Sequence, residues 1–93
     1  MTQTKDLPAD FRLIESPEGA LYLTCTDALA ASFAVRIVHG GRSTIARRVP
    51  PDAMQSLPRA PRGAVAWHLG ISGDEAAPWN VFVHRPFGPL IEI

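Results

Sequence analysis

Ninety-three residues with nine basic and nine acidic side chains make a formally neutral chain of one domain's length, which excludes two separate cores. Apolar residues are 46% of the chain, 13 of them Ala, and a charged fraction of 19% excludes the disordered class, which combines low hydrophobicity with high net charge. The single cysteine, Cys25, excludes an intramolecular disulfide and any multi-cysteine zinc site.

The segment Met1 to Asp6 lacks the basic and apolar regions of a signal peptide, and no apolar run approaches the ~20 residues that span a bilayer. The expected location is therefore the cytoplasm, without membrane association. Residues 1–93 read as one compact domain, with 1–10 as a frayed start.

Nine Pro and seven Gly punctuate short alternating runs, the pattern of strands rather than helices. Phe11 to Glu15 reads as a first strand and Ala20 to Cys25 as a second. Ser16-Pro17-Glu18-Gly19 between them suits a type I turn, with Pro pre-setting φ. Thr26 to Ser32 is a first short helical candidate with Thr26 as its cap. Pro51 to Leu57 is a second, with Pro at its first position and Pro58 as its stop.

Between these candidates, Phe33 to Val38 and Ser43 to Val49 flank His39-Gly40-Gly41-Arg42, the strongest hairpin signal in the chain. A two-residue Gly40-Gly41 loop sets Arg36 opposite Ile45 and Phe33 opposite Arg48, mixing charge with apolar groups. A three-residue loop over 40–42 pairs Ile37 with Ile45 and Phe33 with Val49. The second register is the expected one, because a one-residue slip exchanges the faces. It gathers Arg36 and Arg48 on the face opposite Phe33, Ile37 and Ile45, and leaves Arg47 on the apolar side.

Ala64 to Ile71 alternates, with Val65, Trp67, Leu69 and Ile71 on one face. Trp79 to His84 follows a polar loop, Arg85 to Pro89 turns the chain, and Leu90 to Ile93 makes a short last strand. The expected fold is mainly β: a small antiparallel sandwich or half-open barrel of six to seven short strands with one or two short helices. The alternative is α+β, one helix packed on an antiparallel sheet.

The chemistry-bearing residues are sparse. His39, His68 and His84 lie 29 and 16 residues apart, without the paired short spacing of zinc ligands, and read as separate strand or turn residues. Cys25 before a helix start could be an activated thiol, but a lone Cys in an apolar strand reads first as core. Gly40 to Thr44 superficially resembles an anion nest but lacks the Lys and Gly spacing of a phosphate loop. Asp74-Glu75 reads as solvated loop charge.

Charge, by contrast, is segregated. Residues 32–62 hold six Arg and one Asp, bracketed by net acidic segments. Arg forks suit carboxylates and phosphates, although a solvated outer face accounts for them equally simply. In the last third Trp67 reads as core, while Trp79 and Phe87 at loop edges suit interface anchors.

The functional expectation is a non-enzymatic interaction module acting stoichiometrically on a larger protein with an acidic patch, as inhibitor, adaptor or assembly factor. Its expected contacts are Arg36, Arg42, Arg48, Trp79 and Phe87, with no cofactor and no metal. Leu90 to Ile93 as an edge strand would allow a homodimer or strand addition. The first alternative is nucleic-acid or polyanion binding by the same Arg face, weakened by a pI of 6.8. The second is a small enzyme or metal protein using Cys25 and a His.

Overall fold

A computed structural model describes residues 10–57, 59–84 and 90–92. Eight strand segments form: β1 (Phe11–Glu15), β2 (Ala20–Cys25), β3 (Ala34–His39), β4 (Arg42–Ile45), β5 (Arg47–Arg48), β6 (Val65–Ser72), β7 (Trp79–His84) and β8 (Leu90–Glu92). All pair antiparallel, in two sheets of order β1-β2-β6-β5 and β4-β3-β7-β8.

β4 and β5 belong to one run interrupted at Ala46. The Ala46 N–H donates to the Val35 carbonyl at 2.8 Å, and the Val49 N–H to the Ala66 carbonyl, also at 2.8 Å. The chain thus leaves one sheet and enters the other across a single buried alanine. The result is a mainly β fold of two antiparallel sheets joined by this run, as the alternating pattern implies, and the predicted strand 43–49 is split in two.

Side chains alternate across both sheets as pleating requires. Phe11, Leu23, Cys25, Trp67, Leu69 and Ile71 of one sheet meet Val35, Ile37, Trp79, Val81 and Val83 of the other in the main core. A second, smaller core lies on the outer face of the first sheet. There the segment 49–60 packs Leu57, Val49 and Met54 over Ile14, Tyr22 and Ala66.

Neither helical candidate becomes an α-helix. The first contracts to a 3₁₀ turn at Ala30–Ser32, and the second is 3₁₀ over Pro51–Ser56. Runs this short have too few hydrogen bonds to repay nucleation. Thr26 does not cap it: the 3₁₀ turn has no side-chain cap, and the Asp27 Oδ1 accepts the Leu29 N–H at 2.8 Å just ahead of it. The α+β alternative falls with these helices.

The hairpin adopts the register set aside on the sequence. Arg36 pairs with Ile45, Ile37 with Thr44 and His39 with Arg42, which leaves the two-residue Gly40-Gly41 loop. Gly40 at φ 59° and Gly41 at φ 80° satisfy a type I′ turn, whose twist matches the flanking strands. Mixing charge with apolar groups costs little here because Arg36 and Ile45 share the outer, solvated face. The mismatch of Phe33 with Arg48 never arises, since the chain changes sheets at Ala46.

β6 also departs from regular pairing. Tyr22 pairs with His68 but Ala20 with Ser72, so β6 carries a bulge around Gly70, at φ 78°. The bulge keeps Leu69 and Ile71 both buried, on either side of an exposed Gly70.

Candidate functional site

The change of sheet at Ala46 creates an opening. β5 pairs with β6 only at Trp67 and His68, yet β6 runs on to Ser72. Over Leu69–Ser72 the β5-side edge of β6 has no strand partner among the described residues. β4 has meanwhile turned away to pair with β3.

A cavity of about 530 Å³ occupies this divergence, within the range of ligand-binding clefts. Its apolar surface comes from Ile37, Leu69, Ile71, Val49 and Leu57. Its polar surface comes from Arg42, Arg47, Arg48, His39, His68 and Tyr22, and no lining residue is an Asp or Glu.

Each cation reaches the cleft for a local reason. Arg42 pairs with His39 in the strand row that continues to Trp79, on the inward side of the second sheet. Arg47 pairs with His68, which in turn pairs with Tyr22 on the outer face of the first sheet. The Tyr22 and His68 rings meet edge to face at 5.0 Å. Arg48 donates from Nη1 to the Ala31 carbonyl at 3.2 Å and remains exposed.

His39 is tied to the loop beyond β6. Its Nε2 lies 3.2 Å from Glu75 Oε2, and Glu75 Oε1 accepts the Ala77 N–H at 3.0 Å. The Ala77 amide, followed by His39, holds the Glu75 carboxyl below its ordinary value against a smaller opposing effect of burial.

No protein-family model, curated protein or solved structure matches the chain. The site therefore stands on its own geometry.

The expected contact residues do not form one face. Arg36 lies on the outer face of the second sheet, its guanidinium 4.9 Å above the Phe82 ring and its Nη1 donating to Ser43 Oγ at 3.1 Å. Arg48 lies on the other sheet, opposite Trp67. The shared Arg36–Arg48 face is thus corrected: it presumed one continuous ribbon, and the ribbon divides at Ala46. Arg42 and Arg48 do meet at one cavity, together with Arg47, which the sequence placed on the wrong side.

Trp79 is a core residue, 5% exposed, and not an edge anchor. It shares the inward-facing row of β7 with Val81 and Val83, so proximity to a loop is a poor guide to exposure. Phe87 lies outside the described residues, as do the rest of 85–89, where a turn is expected, and residues 1–9 of the start 1–10 that is expected to fray. Trp67, read as core, is 2% exposed.

Of the three histidines, His39 and His68 line the cleft and His84 is exposed on β7. Among the described residues no three His, Cys, Asp or Glu side chains gather as metal ligands do. Cys25 is fully buried, its Sγ accepting the Asp27 N–H at 3.4 Å.

A second hollow of about 460 Å³ on the first sheet is lined by Arg12, Arg59 and Glu15 among apolar residues. Its mixed charge gives no preferred ligand sign.

Proposed function

We propose that the chain is a non-enzymatic interaction module that binds a larger protein stoichiometrically, as inhibitor, adaptor or assembly factor. The bound element is an acidic, partly apolar segment of that partner, held in the cleft between β4 and β6. The supporting observation is the lining: three Arg and two His around an apolar floor, with no Asp or Glu among them. Guanidinium forks recognise carboxylates bidentately, and the floor gives neighbouring apolar side chains a place to bury. The same proposal places the interaction in the cytoplasm, in keeping with a sequence whose single cysteine allows no intramolecular disulfide.

The test is fluorescence anisotropy of labelled, end-blocked peptides rich in Glu and aliphatic residues, against a dT oligonucleotide of equal charge. The double reversal Arg42→Glu and Arg48→Glu is expected to weaken peptide binding at least tenfold, about 1.4 kcal/mol. Arg36→Glu and Arg62→Glu, outside the cleft, are expected to change it less than twofold. Peptide binding indifferent to the double reversal would discard the cleft.

Polyanion binding is the competing reading. It predicts preference for the oligonucleotide and a steep fall in its affinity with salt as counterions are released.

A further inference from the structure

We infer that the partner segment binds as an added β-strand, continuing the line of β5 along the open edge of β6. This rests on the cleft reading above and goes further by assigning the backbone conformation of the ligand and the pattern of its side chains.

Two observations point to it. The β6 edge over Leu69–Ser72 has no strand partner among the described residues, the Ser72 carbonyl alone being engaged locally, by the Glu75 N–H at 3.2 Å. Those four residues would span about 13 Å at regular strand rise, and the bulge at Gly70 shortens this to room for about three residues of a partner. The cleft is also two-sided in character. Leu69, Ile71 and Ile37 lie on the inward side, and Arg47 and His68 on the outward side.

An added strand presents successive side chains to opposite faces. Placed here, alternate residues would enter the apolar interior and the others would face Arg47 and His68. The recognised segment is therefore extended and alternates aliphatic with acidic residues. Main-chain hydrogen bonds supply affinity in this mode, and the alternating pockets supply specificity.

The probe is a fluorescein-labelled, end-blocked heptapeptide alternating Glu and Ile, compared with two versions N-methylated at alternate amides. One carries the methyl groups on the Glu amides and the other on the Ile amides. A strand paired through one edge loses binding at least tenfold with one methylation pattern and tolerates the other. Hydrogen exchange supplies a second readout: amide protection within Leu69–Ser72 is expected to rise at least tenfold on binding of the unmodified peptide.

Equal binding of all three peptides, without new protection at Leu69–Ser72, overturns the added strand and leaves the acidic-segment reading standing. Failure of the alternating heptapeptide, while a scrambled peptide of the same composition binds, also overturns the strand alone. Absence of binding by every acidic peptide overturns both.

Discussion

The Glu75 carboxylate accepts a hydrogen bond from the Ala77 amide and sits 3.2 Å from the His39 imidazole. Both favour its ionised form, so its pKa in the fold lies below the ordinary 4.5. A depressed carboxyl stabilises the fold above the unfolded-state value, and this contribution disappears as pH falls through the folded-state value. Glu75→Gln is therefore expected to be less stable than the parent at pH 6, with the gap narrowing below about pH 4.5. Urea midpoints measured across that range check it.

Deeper in the molecule, Leu23 has no exposed surface. Leu23→Ala is expected to cost about 2–5 kcal/mol in equilibrium denaturation, from lost burial and the cavity left behind. Trp79→Ala belongs to the same class, at about 3–5 kcal/mol, and so reports on folding rather than on binding. The Trp79 indole N–H is buried without a hydrogen-bond partner among the described residues. An aromatic replacement lacking that donor removes a desolvation cost along with some packing.

At the scale of elements, the β3–β4 hairpin shows both what the residues disclosed and what they concealed. Gly-Gly between alternating runs marked the turn. The register was misread because facing pairs were judged as though one face of the ribbon were wholly buried. In fact Ile45 is 64% exposed and the Arg36 guanidinium sits over the Phe82 ring on the same outer face. Gly41→Ala should cost about 1–2 kcal/mol through backbone strain alone, since φ is +80° and a Cβ there meets nothing within 4 Å. Thermal unfolding of this variant, beside Gly73→Ala, separates strain from collision, because a Cβ on Gly73 would run into the Glu15 carboxylate.

Ala46 makes a different demand. It is 8% exposed at the point where the chain changes sheets. Ala46→Leu is expected to lose about 1–3 kcal/mol by overpacking, and to alter peptide affinity because β4 and β5 diverge from that residue. Nothing local in Ile45-Ala46-Arg47 announces the division. It comes from β3 and β6 competing for the same run, which is a tertiary effect. The cleft was hidden for that reason, although two of its arginines were already singled out.

Across the whole molecule the pattern of short alternating runs was sufficient for the fold class, because pleating imposes a period of two on any half-buried strand. The β1, β2 and β7 boundaries coincide with the expected ones for the same reason. Strand order was not accessible in this way. The central pairings join β2 to β6 and β3 to β7, forty or more residues apart in the chain. Such long-range pairings must close large loops before any contact rewards them, so refolding is expected in milliseconds to seconds rather than microseconds. Stopped-flow Trp fluorescence reads this directly from Trp67 and Trp79.

The arginines beside the open stretch of β6 have a colloidal consequence. An unpaired strand border can template its own kind, and a chain with no net charge has little general repulsion to prevent it. Two copies approaching border to border would bring Arg42 and Arg47 of each into the same space, a local electrostatic guard. Raising ionic strength from 0.01 to 0.15 M shortens the screening length from about 30 to about 8 Å. The ligand-free protein is therefore expected to scatter more light as salt is added, the reverse of ordinary salting-in.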